Sequence, residues 1–318
     1  MTAPSTDPIA GRFAAGAFVL LDKPRGPSSH QVTAWARNLL GVEVAGHAGT
    51  LDPNVSGLLW VGVGPALKLL PLVLEFPKRY IASVVFHGEV PTRELDRVVQ
   101  EFTGPIYQLP PVRSAVKRER RVRTVHRLKV VERDGPRILL DLVADSGTYV
   151  RTLAVDLGEA LGVGAHMEEL RRVATGPFDE HQAVPLTTLA DAVAARGAGD
   201  AAPLLRLLHP IEEVWREFPL VVVREGAASA LAHGAGLASG GILSIPRSFA
   251  RGARVALVTR SGELIATGVA HHDSREVSSV PHGWVVGETR VFVDPARFPP
   301  LWKRTSAHPA GATVENPR

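Results

Sequence analysis

The sequence has no cysteine among its 318 residues. That excludes disulfides, thiolate metal sites and cysteine nucleophiles, and it fits a reducing compartment. The 12 histidines include no His-x3-His or His-Glu-x-x-His spacing, so no metal is expected. There is no Gly-x-Gly-x-x-Gly and no Walker sequence. Gly62-Val63-Gly64 lacks the third glycine and the helix start, which argues against a nucleotide cofactor; none is expected. Long apolar runs are also missing. The longest, Gly57 to Phe76, is broken by Pro65, Lys68 and Pro71, and Met1–Gly16 lacks the charged start and apolar core of a signal peptide. A cytoplasmic protein is the expectation. No repeat at solenoid or propeller spacing occurs.

What is present suffices for a core: 45% of residues are hydrophobic and 21% charged. At roughly 100–200 residues per domain the length suggests two domains. Lys plus Arg number 36 against 32 Asp plus Glu, a net charge of +4. Its distribution is uneven. The 17-residue segment Arg113–Lys129 holds eight basic residues and one acid, and its +7 leaves −3 for the rest of the chain. This is either an electrostatic footprint for a polyanion or a solvated basic hairpin strand.

Residues 1–16, rich in Ala, Pro, Thr and Gly, read as a flexible tail. Phe18–Leu21 is a short strand, followed by the irregular Lys23-Pro24-Arg25-Gly26-Pro27. Ser29 can cap a helix with Val32, Trp35, Ala36 and Leu39 on one side, stopped by Gly41. Tyr80–Val90 reads as a strand, and Thr92 as the cap of an amphipathic helix ending at Gly104-Pro105. Leu128–Glu132 and Ile138–Val143 flank Asp134-Gly135, a hairpin signal, and a third helix runs from about Tyr149 to Leu161. The pattern breaks at Gly197–Asp200, a first candidate boundary. Beyond His209-Pro210, the short β runs Leu220–Val223, Val255–Thr259 and Leu264–Val269 suggest a small β-barrel. From Arg297 on the chain reads as frayed.

Two places invite chemistry. Gly46-His47-Ala48-Gly49-Thr50-Leu51-Asp52-Pro53-Asn54-Val55-Ser56-Gly57 is a shaped loop, anchored by the apolar Leu58–Val63. Its Asp52, five residues after His47, is either a reactive carboxylate or the start of an ordinary Asp-Pro turn. Arg151 falls in the first turn of the third helix, where the macrodipole disfavours a cation by ~0.3–1 kcal/mol. It is either a surface arginine or the clamp on a carboxylate that must stay ionised and fixed in orientation. Tyr80 could stack on a base, or fill the core.

Taken in order, several motifs resemble one known family. These are Leu21-Asp22-Lys23-Pro24 with Gly26-Pro27 and Ser29-His30, the Gly46–Gly57 loop, and Lys78-Arg79-Tyr80. Pro110-Pro111-Val112-Arg113-Ser114-Ala115-Val116-Lys117-Arg118, Gly147-Thr148-Tyr149-Val150-Arg151 and Gly164-Ala165-His166-Met167-Glu168-Glu169-Leu170-Arg171-Arg172 follow. The series is similar to the TruB-type pseudouridine synthases, and closest to the archaeal, dyskerin-like branch that works with box H/ACA guide RNAs. The Ser-Ala-Val-Lys-Arg form, and the absence of a long insertion before the Arg-rich run, favour that branch. His233-Gly234-Ala235-Gly236-Leu237 and Thr259–Ala270 look like a PUA domain.

The resemblance implies an α+β fold: a mixed-sheet catalytic domain over 17–210, a small PUA β-barrel over 211–297, and a C-terminal tail over 298–318. It implies an RNA pseudouridine synthase, an isomerase acting on the T-loop uridine of tRNA and, with box H/ACA guide RNA and partner proteins, on rRNA. The alternative is a catalytically silent RNA-binding scaffold of an H/ACA-type ribonucleoprotein. By resemblance Asp52 is the nucleophile, Arg151 its ion-pair partner and Tyr80 the ring that stacks on the target uracil. His47, Lys23 and Leu170 match positions near the flipped nucleotide. Lys117, Arg118, Arg120, Arg121 and Arg123 are expected to meet the RNA backbone. Implied partners are tRNA, rRNA and guide RNA, small H/ACA ribonucleoprotein proteins and a kink-turn-binding ribosomal-type protein. Asn54 stands where a lysine is common and Leu67 where a threonine is usual.

Overall fold

In the first part of the chain, apolar runs and alternating strands assemble one large mixed sheet, described by a computed structural model over residues 7–109, 119–280 and 282–299. Its strands are β1 (Ala17–Lys23), β2 (Ala45–Ala48), β3 (Val55–Val63), β4 (Lys78–Phe86), β5 (Gly104–Gln108), β6 (Arg121–Asp134), β7 (Arg137–Ala144), β8 (Ala165–Thr175), β9 (Phe178–Asp179) and β10 (His209–Pro210). The helices are α1 (Pro8–Ala15), α2 (Ser29–Leu40), α3 (Leu70–Glu75), α4 (Thr92–Glu101), α5 (Val150–Ala160), α6 (Leu186–Gly197) and α7 (Ala202–Leu207). The sheet order is β10-β1-β3-β8-β4-β7-β6-β5, with β2 beside β3 and β9 beside β8. β3 and β8 run parallel, while β8 and β4 are antiparallel.

β1 and β3 are apolar almost throughout because both of their faces are covered. Val32, Ala36 and Leu40 of α2 and Leu189 and Ala192 of α6 pack with Val19, Leu21, Leu59 and Val61. At the other end, Leu95, Val98 and Val99 of α4 and Leu153 and Leu157 of α5 cover Ala82, Val84, Leu140 and Leu142. Each such side chain, fully buried, contributes roughly 1.5–3 kcal/mol.

Several local expectations are corrected. Residues 8–15 of the supposed tail form α1: the Asp7 side chain accepts from the Ile9 N–H, Pro8 stands in the first turn, and Ile9 is fully buried. An Ala- and Gly-rich composition hid a helix that docks through few large side chains. The cap of α2 is Ser28, in a capping box with Gln31, not Ser29. Thr92 is the first residue of α4 rather than its cap; Pro91 holds the cap position. The hairpin closes on Asp134 and Arg137, so its two-residue turn is Gly135-Pro136. The break at Gly197–Asp200 merely separates α6 from α7, and the chain divides into compact units at Val214/Trp215.

The second unit holds β11 (Leu220–Val223), β12 (Leu237–Ala238), β13 (Ile242–Ser244), β14 (Arg254–Val258), β15 (Leu264–Ala270) and β16 (Trp284–Val291). They form a six-stranded sheet in the order β12-β16-β15-β14-β11-β13. The helix Glu225–Ala232 supplies Ala228 and Leu231 to its core. At the end of the described chain, the Ser229 hydroxyl donates to the Pro299 carbonyl at 2.8 Å. Among the described residues no helix is long and apolar enough to cross a membrane.

Close packing of α5 on β8 generates a test. A Cβ on Gly158 would lie 2.2 Å from the Ala165 nitrogen, whereas one on Gly197 would meet nothing within 4 Å. Alanine is the better helix former at both sites, by about 1 kcal/mol. In urea denaturation Gly197→Ala should hold or raise stability, while Gly158→Ala should lose roughly 2 kcal/mol or more because the backbone cannot yield.

Candidate active site

The segment between β2 and β3 contains Asp52, and its backbone finds few partners in the sheet. Three buried side chains supply them. Ser29, displaced from the capping role, donates its hydroxyl to the Leu51 carbonyl at 2.9 Å and accepts from the Leu51 N–H at 2.8 Å. Lys23 is fully buried, and its Nζ donates to the carbonyls of Pro24 at 2.8 Å, Pro53 at 3.3 Å and Val55 at 2.8 Å. Burial lowers the Lys23 pKa, and the nearby charge of Asp52 opposes that fall. Arg172, on β8, donates from Nε to the Leu58 carbonyl at 2.8 Å and from Nη2 to the Gly49 carbonyl at 2.6 Å. Gly57, at φ +106°, packs so tightly on β8 that a Cβ would lie 2.2 Å from the Arg172 carbonyl oxygen.

Asp52 itself projects outward. Its Oδ2 accepts from Arg151 Nη2 at 2.7 Å, with side-chain exposures of 60% and 50%. An ion pair this open contributes only ~0–1 kcal/mol to stability; what it fixes is the direction of the carboxylate. Neither Thr148 nor Ser146 caps α5; Tyr149 holds the N-cap position, and its side chain makes no capping bond to the helix. Buried Gln108 of β5 clamps that residue instead: its Oε1 accepts from the Tyr149 N–H at 2.9 Å and its Nε2 donates to the Tyr149 carbonyl at 3.1 Å. The helix therefore starts where Arg151 reaches Asp52.

Lys78-Arg79-Tyr80 divides by strand alternation. Lys78 Nζ donates to the carbonyls of Val73 at 3.2 Å, Leu74 at 2.7 Å and Phe76 at 2.6 Å, at the end of α3. Burial, with the charge of Arg172, pulls its pKa down to about 7. Arg79 faces the opposite side and holds Asp141 through two bonds, at 2.9 and 3.0 Å. Tyr80, half-buried, returns to the first face, directly across from Arg172 in the β4–β8 pairing. Leu170, 9% exposed, sits between Val55 of β3 and Ala82 of β4, within the core.

His47 is held edge-on to His30, with ring centroids 4.7 Å apart. The Thr33 hydroxyl donates to the Ser29 carbonyl at 2.7 Å, so at the 3.1 Å contact with His47 it must accept from Nδ1–H. Nε2 of the neutral ring then accepts from the Thr50 hydroxyl at 3.2 Å. Burial, followed by the charges of His30 and Arg172, lowers the His47 pKa and favours that neutral form.

The basic segment is heterogeneous. Lys117 and Arg118, with the Pro110-Pro111 motif, lie outside the described residues. Arg120 is exposed and Arg121 half-exposed. Arg123 packs against Gly147, where a Cβ would stand 3.2 Å from its Nε, and that nitrogen has no hydrogen-bond partner among the described residues. Arg127 is tied to Asp141 at 2.5 Å. Asp52 and Arg151 are thus brought into contact and Tyr80 lies on the strand beside β8, while Lys23 and Leu170 are internal supports. Sequence reasoning missed Ser29, Gln108 and Arg172 as parts of the site. For Arg172 a signal existed: of two adjacent arginines on one strand, one must point inward.

Residues 37–150 match the N-terminal domain of the TruB family pseudouridylate synthases, 151–215 the tRNA pseudouridylate synthase B C-terminal domain, and 219–291 the PUA domain. The probable tRNA pseudouridine synthase B of Pyrobaculum calidifontis is 49% identical over 288 residues, covering 90% of this chain and 86% of that protein. Its counterpart from Methanocaldococcus jannaschii is 41% identical over 287 residues, covering 90% and 85%. The crystal structure of a Cbf5-Nop10-Gar1 complex includes a chain 38% identical, with a TM-score of 0.82 over 95% of this chain and 94% of that one. An H/ACA RNP bound to a substrate RNA containing 2′-deoxyuridine gives 36% identity and a TM-score of 0.78, with 95% and 94% covered. With matches that run from the Asp52 loop through β16, this chain belongs to the TruB family of pseudouridine synthases, close to the archaeal Cbf5-type members, and carries a PUA domain after its catalytic unit.

Proposed function

We propose that this chain isomerises the T-loop uridine of tRNA and, with box H/ACA guide RNA and partner proteins, uridines of rRNA, using Asp52 as nucleophile. The observation that carries the reading is the Asp52–Arg151 pair at 2.7 Å, exposed to solvent while the loop beneath it is pinned by buried groups. An exposed ion pair adds little to stability; a carboxylate that attacks a substrate must be ionised, oriented and reachable.

The target uridine leaves its stack at a cost of a few kcal/mol. Its uracil stacks on Tyr80, and His47 occupies space beside it. Asp52 attacks either the uracil ring or ribose C1′. The N1–C1′ bond breaks, the base turns, C5 bonds to C1′, the bond to Asp52 breaks and returns its carboxylate, the C5 proton departs and N1 gains one. Atoms balance, so no cofactor or co-reactant is called for. The relatives named for tRNA modification support the tRNA substrate, and the H/ACA assemblies support the guided one. Nop10- and Gar1-like small proteins are the partners this reading expects, together with a kink-turn-binding ribosomal-type protein held through RNA. The reading places the chain in the cytoplasm. A silent RNA-binding scaffold has no use for the combination of Asp52, Arg151 and Tyr80.

Because the ion pair is exposed, Asp52→Asn should keep Tm within about 2 °C. It should bind RNA normally and yet lose pseudouridine formation by ~1000-fold or more in a tritium-release assay. Retained turnover refutes the nucleophile, and an inactive wild type favours the scaffold. Incubated alone with unmodified tRNA, the protein should form pseudouridine in the T loop; rRNA targets should react only after guide RNA and the small proteins are added. The basic strand generates a third test. Changing Arg120, Arg121 and Arg123 together to Ala should flatten the salt dependence of RNA binding by roughly 0.7 in log–log slope for each arginine that meets a phosphate. An unchanged slope removes them from the RNA contact.

A further inference from the structure

Arg172 breaks a general rule. Buried charges are usually paired with opposite charges, yet this guanidinium is 2% exposed and its hydrogen bonds among the described residues go to carbonyls rather than carboxylates. Burial lowers its pKa. Its partners are neutral, and each belongs to a different part of the catalytic centre. Nη2 holds the Gly49 carbonyl at 2.6 Å, three residues before Asp52, and Nε holds Leu58, one residue past the loop's end, at 2.8 Å. Tyr80 stands directly across from Arg172 in the β4–β8 pairing, and the phenol beside it opposes the fall in the guanidinium's pKa. Both glycines that bend the loop are fitted to this residue. A Cβ on Gly49, at φ +69°, would stand 2.8 Å from Nη1, and one on Gly57 would strike its backbone oxygen.

We propose that Arg172 is a positioning residue that locks the Tyr80 ring and the Asp52 loop to each other, so that the nucleophile and the stacking ring keep one fixed spacing. This rests on the reading of Asp52 and Tyr80 given above. A structural tie between β8 and β3 would need only the Leu58 and Gly49 bonds. The planar fork does more, because it can donate to the loop and to the phenol at once. The fork meets the Leu58 and Gly49 carbonyls with two different nitrogens, Nε and Nη2, whereas a lysine must direct all its N–H bonds from one point. A loop carbonyl and a ring held by one rigid group cannot drift apart, and misplacement by about 1 Å lowers rates on the order of 100-fold.

The test is Arg172→Lys in the full chain, read three ways. The protein has three tyrosines, so 13Cζ-tyrosine NMR gives three resonances; that of Tyr80 should move while those of Tyr107 and Tyr149 stay. Single-turnover rates should fall at least ~30-fold with RNA Kd within about 3-fold. In a Tyr80→Phe background the same change should lose far less, because the tie has already lost one end. An unmoved Tyr80 resonance, an unchanged rate, or losses that multiply in the double variant overturns the proposal. Should Arg172→Lys fail to fold, Gly49→Ala presses on the fork from the loop side; the Tyr80 resonance must then move, and if it does not the proposal falls. If Asp52→Asn stays active it is the nucleophile reading that fails, and the resonance still judges the tie.

Discussion

The constraint on which the catalytic unit depends is the hydrogen bonding of one irregular stretch of backbone. Between β2 and β3 the chain leaves the sheet for six residues, and unpaired N–H and C=O groups there would be costly if buried. Water could satisfy them, but water would leave the loop free to move. Lys23, Ser29 and Arg172 do it instead, each from a different element: β1, the start of α2, and β8. Asp52 can then stand in solvent without the loop under it loosening. The sheet order matters for the same reason. Only because β8 lies between β3 and β4 can one side chain on it reach both the loop and Tyr80.

This arrangement separates stability from chemistry. The apolar residues on β1, β3, β4 and β7 and the helices over them make the fold, while the Asp52–Arg151 pair adds little to it. The electrostatics follow the same division. Carboxylates on the face of the sheet opposite Tyr80 are matched: Asp141 with Arg79 and Arg127, Asp22 and Glu180 with Arg171. Buried Arg172 and buried Lys78, whose pKa falls to about 7, direct their hydrogen bonds to carbonyls rather than carboxylates. The charge of Arg172, after burial and the charge of His30, helps keep His47 neutral.

Much of the fold could be read from the chain. The strand Phe18–Leu21 lies inside β1, the hairpin runs fall within β6 and β7, and the helix expected near Tyr149–Leu161 is α5. Arg151 was legible because it breaks a local rule that a carboxylate would mend, and Asp52 because it stands in a loop shaped by glycines and a proline; the two form one ion pair. The supports were not legible, for a physical reason. Ser29, Gln108 and Arg172 make bonds across 22, 41 and 123 residues of sequence, and neither period nor propensity describes such contacts. Ser29 also had a decoy: its neighbour Ser28 performs the capping that either serine could supply. The helix α1 escaped because a short alanine-rich segment carries almost no hydrophobic pattern.

Charge shows most clearly what sequence counting can and cannot deliver. A net +7 in Arg113–Lys129 treats eight cations as equivalent. In the fold those on β6 are divided by a register shift between Val125 and Arg127 and meet different neighbours. Arg127 neutralises Asp141 and Arg123 lies flat on Gly147, which leaves Arg120 and Arg121 as the described arginines of the run with open surroundings. A polyanion approaching this strand would therefore meet less charge than the sequence advertises. Arg123 has a second consequence: because it packs on the turn that leads into α5, it stands at the approach to the helix that carries Arg151. The basic strand thus packs against the turn at Gly147 that leads into the helix carrying Arg151.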